Sequence, residues 1–228
     1  MRSQSKFLGD SKDEHEHAGS LPGGLRYQRE LIHSADEPAL IDRVRELPFK
    51  EFEFHGYLGK RRVVSFGWHY EFSGAGRLRK ADEVPEFLLP LRKRAAAFAK
   101  LKPEELHHVL VIEYAPGAGI GWHRDKPVFG EVVGVSLLAP CVIRFRRKVG
   151  GEKGNGEKGE IKAKWDRYNL SAAPRSAYHL SGPARAEWQH SIVRVDELRY
   201  SVTFRTLQAM SKVQGPMPKV RSSAASVY

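Results

Sequence analysis

The sequence predicts a mainly β protein built as a barrel or a two-sheet jelly roll. Two observations carry that prediction. Short segments alternate apolar and polar residues, or run apolar, between Gly, Pro and Asn turns: 52–58, 63–72, 109–115, 132–138, 141–147, 161–165, 175–179, 188–194 and 199–207. Helical periodicity is confined to residues 36–47 and 85–101. Strands therefore do not alternate with helices, as a doubly wound parallel sheet requires.

The chain has 228 residues and 41% hydrophobic content, enough for a packed core. At about 150 residues per domain it holds one large domain or two small ones. No apolar run approaches the ~20 residues of a membrane-spanning helix, and residues 1–20 lack the apolar stretch of a secretory signal. Cys141 is the single cysteine. It has no disulfide partner within the chain, and in its apolar run it reads as a small core residue. The expectation is a soluble chain with no membrane partner, in the cytoplasm or, in a eukaryotic cell, the nucleus. Residues 1–26 and 208–228 read as flexible tails around one domain at 27–207. His15-Glu16-His17 belongs to the first tail and reads as a hydrated polar run.

In chain order, the first helix follows Ser34 as a potential cap, has Pro38 in its first turn, and aligns Leu40, Ile41, Val44 and Leu47 on one face. Residues 49–82 combine aromatic side chains with Lys60-Arg61-Arg62 and Arg77-Leu78-Arg79-Lys80. The second helix ends before Pro103, and Pro90 blurs its start. Strands fill the remainder. Residues 150–159 read as a flexible hairpin loop. Gly154, Gly156 and Gly159 satisfy a G-x-G-x-x-G spacing, but residues 160–165 alternate like a strand where a dinucleotide site needs a helix.

The net charge is +11. Its basic clusters include Arg92-Lys93-Arg94 and Arg144-Phe145-Arg146-Arg147-Lys148, and aromatics interleave with the basic residues around 57–72. That pattern suits neutralisation of a nucleic-acid backbone with base stacking; the competing reading is an ordinary solvated basic surface.

With 10 histidines, a His-x-Asp/Glu should arise about once by chance. Two occur. In His69-x-Glu71, the neighbours Trp68, Tyr70 and Phe72 take one strand face and leave the pair on the other. His123-x-Asp125 instead follows the glycine-rich run from Tyr114 to Trp122, and period-two geometry sets both side chains on one side, suited to adjacent positions on one metal. His190, in Trp188-Gln189-His190, is the candidate third ligand, with a structural histidine as the competing reading. Two imidazoles and one carboxylate on one face leave three octahedral positions open, the arrangement of non-haem Fe(II) oxygenases. Zinc would favour four ligands including a catalytic water.

The last strand adds an anion site. Alternation puts Arg199, Ser201, Thr203 and Arg205 on one face, and Tyr200, Val202 and Phe204 on the other. An inward arginine face requires an anion such as a carboxylate; an edge strand with its polar face in water is the alternative. The two arginines stand about 20 Å apart along an extended strand, too far to grip the two ends of one short diacid.

The ordered set Tyr114-Ala115-Pro116-Gly117, His123-x-Asp125, His190 and Arg199-x-Ser201-x-Thr203-Phe204-Arg205 closely resembles the AlkB family of Fe(II)/2-oxoglutarate dioxygenases over about residues 27–207. The resemblance implies an α+β, mainly β fold: a double-stranded β-helix, or jelly-roll, core with N-terminal helices and a substrate lid. It implies Fe(II) on His123, Asp125 and His190, with 2-oxoglutarate and O2 as cosubstrates. Arg199 would bind the distal carboxylate, assisted by Tyr114 and Ser201, with Arg205 near the metal-proximal end. Two positions depart from the family pattern. Ile112 stands where several members have asparagine, and Ser201 where some do.

The implied activity is oxidative dealkylation of N-alkylated bases in DNA or RNA, as in repair of alkylation damage. The base must leave its stack, so residues 49–82 are the lid expected to receive it. Trp68 or Tyr70 would stack on the base, and Arg61, Arg62, Arg77 and Arg79 would contact phosphates. Core packing is the competing role for each aromatic. The alternatives are hydroxylation or demethylation of protein or modified tRNA, and a non-catalytic nucleic-acid-binding jelly roll. The last should show a broken ligand set or a missing arginine, and neither is seen.

Overall fold

The computed structural model describes residues 21–54, 57–71, 77–153 and 161–208, with side chains at 52–59, 69–78 and 151–162 outside that description. The tail residues 1–20 and 209–228, and with them His15 and His17, fall outside it, as do Gly154, Gly156 and Gly159.

The architecture is two antiparallel sheets in a jelly roll. The larger is assembled from β1 (Leu25–Gln28), β2 (Lys50–Phe54), β3 (Tyr57–Glu71), β4 (Arg77–Lys80), β5 (His108–Tyr114), β7 (Phe129–Leu137), β10 (Ala177–Leu180) and β12 (Arg199–Leu207). Its order is β1-β10-β7-β12-β5-β3-β2, with β4 paired to β3. The smaller contains β6 (Ile120–His123), β8 (Cys141–Lys153), β9 (Ile161–Ala172) and β11 (Gln189–Ile192), in the order β6-β11-β8-β9.

Period-two patterning sorts each strand's residues between two cores. Between the sheets pack Ile112, Tyr114, Val132, Ile143, Phe145 and Tyr168. On the far side of the large sheet, Val109, Val111, Val135, Val202 and Phe204 meet α1 (Glu37–Arg45) and α2 (Leu89–Ala99). The helices contribute Ile41, Val44, Leu91 and Ala95, and each large aliphatic side chain so buried is worth about 1.5–3 kcal/mol. β12 therefore lies between β5 and β7 with both faces covered, not at an edge in water. Cys141 is buried and free.

Several boundaries differ from those read in the sequence. α2 begins at Leu89 after a 3-10 turn at Glu86–Leu88; Pro90 belongs in a first turn, where a missing N–H costs nothing. The segments expected at 52–58 and 63–72 are instead a hairpin of β2 with a 15-residue β3. Lys60-Arg61-Arg62 interrupts the apolar alternation there, and the β2–β3 register shifts beside it, between Glu51 and Glu53, while β3 itself runs on unbroken. β8 runs on to Lys153 with a register shift between Lys148 and Gly150, so the first part of the expected 150–159 loop is strand. β1, β4 and β6 have four residues each, too few to show a period.

The region expected to be the lid is two successive hairpins sharing β3. β3 pairs with β5 as far as Gly67 and with β4 from Trp68 onward. Gly67 makes the change of partner possible. Its φ is 79°, and a Cβ there would lie on the His107 carbonyl oxygen.

Candidate metal and keto-acid site

The site sits between the sheets, where β6 and β11 carry His123 and His190 to opposite positions of one ladder. The turn before β6 is closed by Gly117, at φ 81°, whose N–H donates to the Val195 carbonyl at 2.7 Å. The imidazole centroids are 4.3 Å apart with 57° between planes. Asp125, just past the end of β6, has a side chain only 7% exposed, and its Oδ2 lies 3.7 Å from His190 Nε2. Its Oδ1 accepts from Arg205 Nε and Nη2, both at 2.8 Å.

The three side chains present ligand atoms rather than spent ones. His123 Nδ1 lies 2.9 Å from the Gly121 carbonyl; as a donor there it leaves the lone pair on Nε2, the usual arrangement for a ligating histidine. Burial pushes the His190 imidazole down to about 4, and His123, Arg205 and Arg185 act in the same direction against Asp125. His190 is therefore neutral near pH 7. Burial alone would raise the Asp125 carboxyl, but Arg205 and the two histidines outweigh it and hold it well below the usual carboxylate range. Among the described residues, no group of three or more His, Cys, Asp or Glu side chains is arranged to hold a metal ion as the side chains stand. The backbone register nonetheless brings two imidazoles, the buried His190 among them neutral, and a carboxylate to one place, and that donor chemistry fits Fe(II).

The second part of the site lies along β12. Arg199 is 1% exposed. Its Nε donates to Ser136 Oγ at 3.1 Å, and its guanidinium sits 4.8 Å from the centroid of the Tyr114 ring. Its Nη1 is buried without a hydrogen-bond partner. A buried guanidinium with an unsatisfied N–H is costly unless an anion meets it. Tyr114, paired with Arg199 across the β5–β12 ladder, hydrogen-bonds Ser201 through its hydroxyl. Ile112 is buried opposite Ser201 and adds only hydrocarbon. The unpaired arginine, with hydroxyls from Tyr114, Ser136 and Ser201 around it, fits the distal carboxylate of 2-oxoglutarate.

Arg205 is placed differently. Its Nε and Nη2 bind Asp125 and its Nη1 lies 3.3 Å from His108 Nδ1, so it holds the Asp125 carboxylate in place. Of the lid residues, Arg62 pairs bidentately with Glu113 at 2.7 and 2.9 Å on the helical side of the sheet, which removes it as a free phosphate contact. Arg61 is half-buried and pairs with Tyr114 across the β3–β5 ladder, in the row that holds Arg199. It stands beside Tyr114 and Arg199 rather than on an outer surface. Trp68 is half-buried and Arg79 exposed on the β3–β4 hairpin. Tyr70 and Arg77 hold register positions there, and their side chains lie outside the described residues.

Sequence reading missed Tyr178 and Arg185. Tyr178 is buried where Arg199, Arg205, Tyr114 and Asp125 all act on its hydroxyl, and Gly134 opposite leaves room for its ring. Arg185 donates to the carbonyls of Gly130, Lys126 and Phe129 at 2.7, 2.8 and 2.6 Å, fixing the turn that follows Asp125. Both sit in segments with no alternation to advertise an inward polar group.

A jelly roll with two histidines and a carboxylate at one end, and a buried arginine between its sheets, is the architecture of the non-haem iron oxygenases. A model of the 2OG-Fe(II) oxygenase superfamily matches residues 31–205. The chain belongs to that superfamily and, within it, to the AlkB family, whose members use Fe(II), 2-oxoglutarate and O2. It is 30% identical over 190 residues, 74% of this chain, to "Alkylated DNA repair protein ALKBH8 homolog" of Arabidopsis thaliana. It is 29% identical over 129 residues, 56% of this chain, to "Probable RNA/DNA demethylase ALKBH6" of Danio rerio. The chain spans about half the length of each, 52% in both cases. Among solved structures, OsALKBH1 superposes with a TM-score of 0.55 at 17% identity, covering 83% of this chain and 99% of that one. A 2OG-Fe(II) oxygenase from Burkholderia pseudomallei gives 0.51 at 14%, covering 81% and 85%. These two likenesses concern the fold. Among the described residues no helix is long and apolar enough to cross a membrane.

Proposed function

We propose that this chain is an oxidative demethylase of nucleic acid, with Fe(II) on His123, Asp125 and His190 and the distal carboxylate of 2-oxoglutarate on Arg199. The observation that carries the reading is the unpartnered, buried Arg199 Nη1 between the same two sheets as the converging His-Asp-His set. The names of the matched relatives, an alkylated DNA repair protein homolog and a probable RNA/DNA demethylase, support nucleic acid as the substrate class.

Iron, 2-oxoglutarate and O2, when bound, would supply the oxidation: one oxygen atom of O2 would go to the keto acid, which becomes succinate and CO2, and the other to an alkyl carbon on nitrogen as a hydroxyl. The resulting hemiaminal releases an aldehyde and the dealkylated base. The protein's contribution is placement. His190, neutral at physiological pH, and His123, with Nδ1 at the Gly121 carbonyl, offer Nε2 to the metal, and Arg205 keeps Asp125 ionised and aimed. Arg199, with the Tyr114 and Ser201 hydroxyls, fixes the keto acid in one orientation. The sheet interior excludes water, and the β3–β4 hairpin bearing Trp68 covers the reacting base.

The test is to incubate the iron-loaded protein anaerobically with 2-oxoglutarate and an N-methylated oligonucleotide, admit O2, and follow succinate and formaldehyde together. Equal yields of the two support dealkylation. Succinate without formaldehyde from methylated DNA and RNA alike contradicts the substrate class.

A further inference from the structure

Resting on the nucleic-acid reading above, we infer that the outer face of the small sheet is a second contact surface, which binds the phosphate backbone of the nucleic acid that carries the target base.

The two sheets are covered unequally. The large sheet has helices on its outer face, whereas the small sheet turns Ile143, Phe145, Tyr168 and Leu170 inward and leaves their alternates to solvent. Those alternates are Arg144, Arg146 and Lys148 on β8, and Trp165 and Arg167 on β9, where Arg146 pairs with Arg167 and Lys148 with Trp165. Trp122 joins them from β6, one residue before His123. Among the described residues, no acid pairs with these four cations. Arg144 donates to Ser191 Oγ at 3.2 Å and Arg146 to Gln189 Oε1 at 2.8 Å, both neutral partners.

The aromatics organise this charge. Arg146 lies between two indoles, 4.3 Å from the Trp122 centroid and 4.5 Å from that of Trp165. Arg144 lies 5.2 Å from Trp122. Stacking of this kind holds a guanidinium plane before any ligand arrives, so less rotamer entropy is lost on binding. Successive outward positions on one strand are about 6.6 Å apart, so the cations form a row rather than a single point. A row of ordered arginines with indoles between them matches a polyanion carrying flat groups, and nucleic acid combines both. Arg147, on the same strand, shows the contrast: it is neutralised by Asp166 and Glu187 at 3.0 and 2.8 Å.

The test measures binding, without turnover, of an unmodified fluorescent single-stranded oligonucleotide to the full chain across a salt series. Arg144→Gln/Arg167→Gln should weaken binding about tenfold and make the salt slope shallower by about 1.4, the value for two lost phosphate contacts on a single strand. Lys148→Gln/Arg167→Gln removes two exposed cations while keeping Arg144, Arg146 and both indoles, and should shift binding the same way, which keeps the proposal refutable if the first variant fails to fold. Arg43→Gln/Arg94→Gln on the helical side is the control for net charge and should change neither quantity. If wild type binds and all three variants bind equally well, or weaken equally, the surface is not a contact and the substrate reading stands. Competition by polyglutamate as strong as by unlabelled oligonucleotide would assign the face to an acidic protein instead. A wild-type chain that binds no oligonucleotide overturns both the surface and the nucleic-acid reading.

Discussion

Arg199 and Arg205 stand on the same face of the same strand, both buried, yet their surroundings differ. Arg205 has its carboxylate inside the protein: Asp125 accepts two of its N–H groups. Arg199 has hydroxyl and aromatic neighbours and a buried Nη1 with no acceptor. The first is an ion pair that folding completes; the second keeps an N–H that folding leaves without an acceptor, which the proposed function fills with a ligand. One residue type at one periodicity thus meets two surroundings, and in the proposed site the neighbours decide which arginine stabilises and which binds.

The sharpest way to break that comparison is to remove the metal ligands from which it takes its meaning. His123→Ala should abolish both succinate and aldehyde formation, checked by product analysis with added Fe(II). Retention of either at wild-type rates rejects the ligand assignment.

Next in size is the ion pair. Arg205→Gln leaves Asp125 buried without its cation, and losing one partner of a buried pair typically costs about 3–5 kcal/mol. Urea denaturation of the metal-free protein should show it. Arg199→Gln, measured in the same way, should show little loss or a small gain, because it deletes a buried charge that no protein carboxylate offsets. Equal destabilisation by the two substitutions would erase the distinction.

A smaller effect separates the two ends by pH. His190 titrates at about 4 in the folded chain against 6.5 ordinarily, so the unfolded chain binds the extra proton first as pH falls. The stability of the metal-free protein from this group is full above about pH 6.5 and drains away toward pH 4. Thermal midpoints across that interval should fall more steeply for wild type than for His190→Gln; parallel curves contradict a neutral buried imidazole.

Much of this was legible in the sequence because strands report on both faces. The alternation in β12 separated Arg199, Ser201, Thr203 and Arg205 from Tyr200, Val202 and Phe204, and the structure buries both sets, one between the sheets and one under the helices. His123 and Asp125 came from period-two spacing just beyond a glycine-rich turn. His190 was the candidate third ligand from its place at the start of a later strand, against the reading of a structural histidine, and the ordered motif set then added to it. What escaped was set by cross-strand neighbours. Arg62 looked like a phosphate contact until the β3–β5 ladder placed it opposite Glu113. Arg61, one residue earlier, necessarily points to the other face, beside Tyr114. β6 was invisible because four residues with a glycine among them carry no period, although that strand delivers His123.

The affinity for 2-oxoglutarate tests the central claim most directly, measured by calorimetric titration of the anaerobic Fe(II)-loaded protein. Arg199→Gln should weaken it by roughly 10- to 100-fold, as expected for charge-assisted hydrogen bonds of about 1.5–3 kcal/mol, while iron affinity and the fold stay as in wild type. Unchanged 2-oxoglutarate affinity in a folded, iron-loaded Arg199→Gln protein would contradict the account.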